Sequence, residues 1–332
     1  MRWFRRRGPR DDFVEPRQGS DPHLRHLQWH DASDLIALVV DACVAQGRDC
    51  RYDGAGGLVL GRHVYSLDGL ARVAGTTARS AWPALVDRHV RALLLADAVS
   101  DPATLDEAAD LLRAQLRPLS SLPELPEAAV TVLPGVAMIC VLDHPSHITE
   151  LVSMDLVSDY GGLDAVYEVA LENLRALPAP TISDICANMD RPDATVHVLQ
   201  SEDFYGAARA LILPQMLAQI GVERPPYGVL FAVPTRHLLV LHVVRGEGAV
   251  PALKSLARLA QVQFGEGPGA ISPHVFYAGP DDTDEVRMPQ RVTSFDPRGE
   301  LTVTVDGPLH AAFGALGLVQ PGPGWSADAD DH

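Results

Sequence analysis

The stretch "VLFAVPTRHLLVLHVV", residues 229–244, decides the fold of this chain. Two apolar runs flank a polar break, Pro234-Thr235-Arg236-His237. Nearly continuous apolar runs without alternation are typical of strands that are covered on both faces of a sheet. We therefore predict two central strands, Val229–Val233 and Leu238–Val244, joined by a turn in which Pro234 fixes φ.

The segments on either side of this stretch complete a β-α-β-β-α-β order. The predicted elements are a strand at Val196–Leu199, a helix from Glu202 to Ile220, a helix from Val250 to Phe264 and a strand at Val275–Tyr277. Pro214 predicts a kink in the first helix, because proline removes one backbone hydrogen bond. A strand–helix–strand unit normally makes parallel strands. Strands 196–199 and 229–233 are therefore expected to run parallel, adjacent or one strand apart, with their carboxyl ends at one edge.

Four polar residues form a candidate site at this sheet edge: Asp203, Tyr205, Arg236 and His274. Ligands of such sheets favour the carboxyl ends of parallel strands. The alternative is structural: Asp203 caps the helix or complements its positive end, or pairs with Arg236 in a solvated turn. The structural interpretation is favoured, because the four residues carry no catalytic pattern.

The first part of the chain predicts helices and short antiparallel strands. A helix begins near Asp31, and short strands follow at Cys50–Tyr52, Leu58–Leu60 and His63–Tyr65, the first two joined by the turn "DGAGG". Further strands are expected at 128–133, 136–142 and 147–153, and an edge strand is expected in "QLRPLSS" because of Pro118. The predicted class is α+β: an N-terminal helix and antiparallel-strand region followed by the β-α-β-β-α-β layered region, with mixed sheets.

Composition narrows the classes of function. Lys+Arg 27 against Asp+Glu 43 gives a net charge of −16, which argues against nucleic-acid and anionic-membrane partners. The four cysteines are far apart and predict neither a zinc site nor disulfides. No segment has the roughly 20 apolar residues of a membrane-spanning helix, so a cytoplasmic location is expected. The arginine cluster near the start, Arg2 to Arg10, is interpreted as a solvated arm rather than a contact for an acidic partner.

Templates of enzymes and metal sites fail in this sequence. It has no Gly-x-Ser-x-Gly and no His-Glu-x-x-His, and its single lysine, Lys254, lies inside a predicted helix. "DHPSH" at 143–147 holds two histidines beside an aspartate, but no third ligand lies nearby in sequence. "DDTDE" at 281–285 lacks the spacing of a calcium loop. We expect no catalytic residues, no cofactor and no metal.

Three motifs resemble those of the YtpQ-like family of bacterial proteins. They are "ENLRALP" at 172–178, "EDFYGAARALI" at 202–212 and "VLFAVPTRHLLVL" at 229–241. The residues that match are Asn173, Leu174, Arg175, Leu177 and Pro178, then Asp203, Tyr205 and Ala207, then Val233 and Pro234. The element order is similar over about 30–280, and the likeness is specific over about 163–278. The resemblance implies a cytoplasmic bacterial α+β protein and brings no established activity or cofactor.

These observations give the expected organisation and function. The predicted parts are a disordered arm at 1–28, an N-terminal α+β domain at 29–120, a YtpQ-like C-terminal α+β domain at 121–280, an extension at 281–320 and a disordered tail at 321–332. We expect a non-enzymatic module that binds a protein or peptide partner, because β-rich edges pair with extended segments. The alternative is a small-ligand protein or enzyme that uses the edge with Asp203, Tyr205, Arg236 and His274. The oligomeric state is left open.

Overall fold

The computed structural model describes residues 19–319, with gaps at 22, 25, 55, 62, 98–100, 123–124, 146–147, 268, 281–287 and 296–299. The chain divides into two compact units at residues 99 and 100. The boundary predicted from the sequence lies between residues 120 and 121. The strand Leu112–Pro118 nevertheless pairs along its length with Val136–Asp143, and it therefore belongs to the second unit.

The first unit is a set of helices with a three-stranded antiparallel meander. Its elements are α1 (Trp29–Ala45), β1 (Cys50–Tyr52), β2 (Gly57–Leu60), β3 (His63–Ser66), α2 (Asp68–Gly75), a 3-10 turn (Arg79–Ala81) and α3 (Trp82–Asp97). Leu35, Val39 and Cys43 recur every fourth residue of α1 and are fully buried, as this spacing predicts. Leu24 and Leu27 are also buried in this core, although they lie in the segment 1–28 that was expected to be a disordered arm.

The second unit begins with an antiparallel sheet and the helices that follow it. Its first elements are α4 (Leu105–Ala108), a 3-10 turn (Ala109–Leu111), β4 (Leu112–Pro118), a 3-10 turn (Leu119–Ser121), β5 (Val130–Leu133), β6 (Val136–Asp143), β7 (Ile148–Glu150), α5 (Met154–Ser158) and α6 (Leu163–Ala176). Strand β6 pairs with β4 along one edge and with β5 and β7 along the other. Helix α6 packs against β4 and buries Val166, Ala170 and Leu174.

The remaining part of the second unit is built around a six-stranded sheet. Its elements are β8 (Thr181–Cys186), β9 (Thr195–Gln200), a 3-10 helix (Ala207–Ile212), α7 (Leu213–Gln219), β10 (Val229–Thr235), β11 (Leu238–Val243), α8 (Ala249–Glu266), β12 (Val275–Ala278) and β13 (Gln290–Arg291). The strand order is β13-β12-β10-β11-β9-β8. The small hairpin β14 (Thr293–Phe295) and β15 (Leu301–Val303) and the helix α9 (Gly307–Ala315) follow. The predicted α+β class is confirmed, and the neighbouring strands described within each unit, expected to be mixed, are antiparallel.

Strands β10 and β11 are covered on both faces, as their apolar runs predict. Every residue of the two strands is buried. On one face Phe231 and Leu239 join the core that contains the 3-10 helix, α6 and α7. On the other face Leu230 and Val240 pack with α8. Leu309 of α9 lies in that same core, so part of the predicted 281–320 extension belongs to the folded unit.

The region between β9 and β10 differs from the predicted single kinked helix. Residues Ala207–Ile212 form a 3-10 helix, and α7 starts at Leu213 with Pro214 in its first turn. A proline in the first turn has no hydrogen bond to lose, because the first backbone N–H groups of a helix have no partner within it. Pro214 therefore starts a new helix rather than bending an existing one.

Candidate functional site

The carboxyl ends of β9 and β10 lie at one edge of the six-stranded sheet. Strand β11 is antiparallel to both, so β9 and β10 run parallel, one strand apart, as the crossover argument predicts. The Ser201 N–H donates to the His237 carbonyl oxygen at 2.9 Å, and Nδ1 of His237 donates to the Asp203 carbonyl oxygen at 2.7 Å. Gly206 packs so closely here that a Cβ on it would lie 2.4 Å from that His237 oxygen. The segment after β9 is therefore held against the turn between β10 and β11.

The polar break is a two-residue hairpin loop with an irregular strand beside it. Thr235 pairs with Leu238, which leaves Arg236 and His237 as the loop. The register of β10 shifts between Ala232 and Thr235, and Pro234 lies in this bulge. Proline donates no backbone hydrogen bond and is tolerated inside a sheet at such positions. Pro234 is therefore explained by the backbone of the hairpin.

Asp203 pairs with Arg209 and not with Arg236. The Arg209 guanidinium is 2% exposed and donates to both oxygens of the Asp203 carboxylate, at 3.1 and 3.0 Å. It also donates to the Ser201 hydroxyl at 2.7 Å and to the Pro178 carbonyl at 2.8 Å. Bidentate Arg–carboxylate pairs are the strong ion pairs of proteins. This pair fixes the segment after β9 to the end of α6, and it leaves Asp203 committed to a structural contact.

The side chains of Tyr205 and His274 take no part in this pair, although the Tyr205 N–H donates to the Asp203 carboxylate at 2.8 Å. Tyr205 is 3% exposed in the core, where burial and the nearby Asp143 carboxylate raise the pKa of its hydroxyl above the ordinary value. His274 comes just before β12, and its ring stacks on Phe295 with 5.7 Å between ring centroids. The four predicted residues therefore share a region of the sheet edge without converging on one cleft.

The surroundings of His237 favour its neutral form. Burial and the adjacent Arg236 lower its pKa below 6.5. Its Nδ1 carries the proton that is donated to Asp203, and Nε2 accepts from Nε of Arg236 at 3.2 Å. The Arg236 guanidinium carbon lies 4.2 Å from the centroid of the Phe204 ring, a cation–π geometry. Arg236 thus braces the loop rather than facing an open cavity.

A groove of about 410 Å³ lies beside the loop, between α8 and the strands β8, β9 and β11. Its lining residues are Ser183, Ile185, Val198, Gln200, Ser201, Thr235, His237, Leu238, Leu259 and Gln263. Those side chains are apolar or uncharged, with His237 in its neutral form. The groove accepts an apolar side chain and offers hydroxyl and amide groups at the end near the loop.

Strand β8 forms one edge of the sheet, and all six of its residues are exposed. Ala187, the residue after β8, donates its N–H to Ala194 on the β9 side at 3.0 Å. Backbone groups alternate in direction along a strand, so those of Ile182, Asp184 and Cys186 point away from β9. Among the described residues no strand pairs with that outer side.

The residues of the resembling motifs have structural contacts. The amide nitrogen of Asn173 donates to the carbonyl oxygens of Ala109 and Leu112, at 2.6 and 2.9 Å. The carbonyl of Arg175 accepts from Gln215, and that of Pro234 accepts from the Ile271 N–H at 2.9 Å. These contacts tie α6 to the turn before β4 and tie the bulged strand to the segment before β12.

The described part of the chain holds no cluster that fits a metal ion. In the "DHPSH" turn, Nε2 of His144 lies 3.1 Å from Oδ1 of Asp101, whose oxygen also accepts from the Thr149 hydroxyl at 3.1 Å. His147 and the "DDTDE" segment lie outside the described residues. None of the helices within the described ranges is both long and apolar enough to cross a bilayer.

Comparison with family models, with curated proteins and with solved structures finds no match for this chain. The resemblance to the YtpQ-like family therefore stays a prediction that rests on the three motifs.

The sequence predictions missed one residue and one strand at this site, Arg209 and β8. Arg209 lies inside "EDFYGAARALI", where a buried arginine cannot be told from an exposed one. Strand β8, "TISDIC", follows Pro178 and Pro180 directly. Its Ile182 and Ile185 are β-branched residues and give a weak strand signal, which could have been found.

Proposed function

We propose that the second unit is a non-enzymatic adaptor that binds an extended segment of a partner protein along β8. The observation that carries this proposal is the edge strand with six exposed residues beside the 410 Å³ groove. An extended peptide added to such an edge gains backbone hydrogen bonds, and a neighbouring groove selects its side chains.

Strand β8 lacks most of the features that protect sheet edges from pairing. Natural edges are shortened, bulged, covered or charged. Strand β8 has six residues in unbroken register with β9, from Thr181 to Cys186, and a single charged side chain, Asp184. Ile182 is 37% and Ile185 40% exposed, so the strand offers apolar surface on both faces.

The alternative, a small-ligand site or enzyme at the Asp203 edge, has less support. The Asp203 carboxylate is occupied by Arg209, and Tyr205 lies in the core. Arg236 is stacked on Phe204. A ligand would have to displace these contacts, whereas a peptide on β8 would displace no strand among the described residues.

A displayed library of random short peptides tests the proposal. Ile182→Pro removes one outward N–H and leaves the inward hydrogen bonds to β9 in place. Ile182→Ala is the matched control, because it truncates the same side chain and keeps the N–H. We expect selected peptides to protect the amides of Ile182, Asp184 and Cys186 from deuterium exchange.

Affinity should fall about fivefold or more in Ile182→Pro and much less in Ile182→Ala, since one hydrogen bond contributes ~1 kcal/mol net. Circular dichroism verifies that both variants are folded. Selected peptides that leave the β8 amides unprotected, or that bind both variants alike, would show that β8 is not a docking strand.

A further inference from the structure

We infer that the segment recognised by β8 is an extended strand in which basic and apolar residues alternate, with the apolar residues facing the groove. This inference rests on the proposed function and names the chemistry of the partner. It follows from the two faces of β8, from the charges around it and from the cost of pairing β8 with itself.

The two faces of β8 differ in chemistry. Ser183 and Ile185 lie on the groove side, opposite Val198 and Val196 of β9. Asp184 lies on the other side, opposite His197, whose Nδ1 is 2.7 Å from the carboxylate. Side chains of an added strand alternate in the same way. One set of partner residues therefore meets the groove, and the other set meets Asp184.

The charges around β8 favour a basic partner. Asp184 is 59% exposed, so a large part of the carboxylate stays accessible beside His197. Exposed carboxylates also lie at the two ends of the strand, in Asp190 of the loop after β8 and in Glu202 after β9. The arginine of that loop, Arg191, is paired with Glu247. Opposite charges across an antiparallel pair are stabilising, and the chain as a whole carries −16.

The same carboxylate disfavours a second copy of the chain on this edge. A twofold pairing of β8 that uses the outward groups of Ile182, Asp184 and Cys186 sets Asp184 opposite Asp184. A shift by two residues leaves the two carboxylates diagonal to each other. Like charges in these positions are destabilising. The edge therefore selects a different strand, and an arginine or lysine opposite Asp184 is its best match.

The groove favours apolar side chains at the alternate positions of the partner strand. Its apolar lining includes Ile185, Leu238 and Leu259, and its volume of about 410 Å³ accepts a branched aliphatic side chain with room to spare. Val262, one turn of α8 after Leu259, is a further exposed apolar residue, at 41%. A valine or leucine of the added strand is covered there on two sides.

Designed peptides provide the test, with the full chain as receptor. The probe is acetyl-Val-Arg-Val-Arg-Val-Arg-Val-amide, compared with the same peptide carrying Glu in place of each Arg and with one N-methylated at each Arg. Affinity is measured by calorimetry for the wild type and Asp184→Asn, and the oligomeric state of the free chain is measured by sedimentation. Asp184→Asn removes the charge and keeps a hydrogen-bonding side chain beside His197.

We expect the arginine probe to bind and to protect the β8 amides, and the glutamate and N-methylated peptides to lose binding. Asp184→Asn should weaken the arginine probe about threefold to fivefold, which is the range of a partly exposed ion pair. Equal binding of the arginine and glutamate probes overturns the basic preference and leaves β8 docking intact. Equal binding of the N-methylated probe overturns backbone pairing itself. A dimer that is lost in Ile182→Pro assigns the edge to a second copy and overturns the inference.

Discussion

The Asp203–Arg209 ion pair gives the sharpest test of how the sheet edge is held. Asp203→Ala leaves the Arg209 guanidinium, 2% exposed, without its counter-ion. Removing one partner of a buried pair costs about 3–5 kcal/mol. Arg209 keeps its hydrogen bonds to Ser201 and Pro178, and the Asp203 side chain is 26% exposed. We therefore expect a loss near the lower limit, about 3 kcal/mol.

Hydrogen exchange of the amides in β10 and β11 measures this loss. Both strands are completely buried, so their slowest amides exchange through opening of the whole unit. A loss of 3 kcal/mol accelerates that exchange by about 150-fold, at 1.4 kcal/mol for each factor of ten. Tryptophan fluorescence is a poor substitute, because the two tryptophans among the described residues, Trp29 and Trp82, both belong to the first unit.

The matched control is Glu247→Ala, which removes the carboxylate from the exposed pair with Arg191. The side chains of that pair are 43% and 60% exposed, so its loss should cost less than about 1 kcal/mol. If Asp203→Ala costs no more than this control, the edge is not held by the ion pair, and the hydrogen bonds of Ser201 and of the Asp203 carbonyl with His237 must be sufficient.

Three further outcomes follow from the structure. Leu239→Ala in β11 should cost roughly 2–5 kcal/mol in urea unfolding followed by circular dichroism, and a loss below about 1 kcal/mol would contradict the double coverage of that strand. Gly206→Ala should cost about 1–3 kcal/mol, because its Cβ would meet the His237 carbonyl, whereas Gly265→Ala in α8 has open space and should be neutral or stabilising in the same assay. Acidification should destabilise the second unit, because burial lowers the pKa of His242 below 6.5 in the folded state. The unfolded chain therefore binds this proton first as the pH falls. Stability should decrease as the pH drops through about 6.5 and should level off below the pKa of His242 in the folded state. His242→Gln should reduce that pH dependence, and an unchanged slope would refute the assignment.

Periodicity and connection rules predicted the central part of the fold from the sequence. The apolar runs around Pro234 predicted two covered strands, because a single polar residue, His242, interrupts the two runs. The right-handed crossover rule then placed the ends of β9 and β10 at one edge without any contact information. The helix at Ala249–Glu266 was predicted within two residues at each end.

Side-chain partners at the edge were not predictable from sequence. Two arginines, Arg209 and Arg236, were possible partners of Asp203. The predicted partner was Arg236, because it follows the strand that runs parallel to β9. Asp203 pairs with Arg209 because the 3-10 helix directs the Arg209 side chain inward, where it also contacts Ser201 and Pro178. The sequence predicted a single kinked helix from Glu202 to Ile220. Because this prediction was wrong, it did not show that the Arg209 side chain points into the core. The exposed strand β8 was missed because tertiary pairing with β9, rather than a strong pattern, makes it a strand.

The connectivity of the six-stranded sheet also determines the order in which its parts can form. Strands β10 and β11 are joined by two residues, and such hairpins close within microseconds. The pairing of β9 with β11 must wait until the 3-10 helix and α7 have crossed the sheet. We expect the Asp203–Arg209 contact to form late, because it needs the end of α6, the end of β9 and the 3-10 helix together. Contacts absent from the transition state slow unfolding without speeding folding. We therefore expect loss of the ion pair to accelerate unfolding of this unit more than it slows folding.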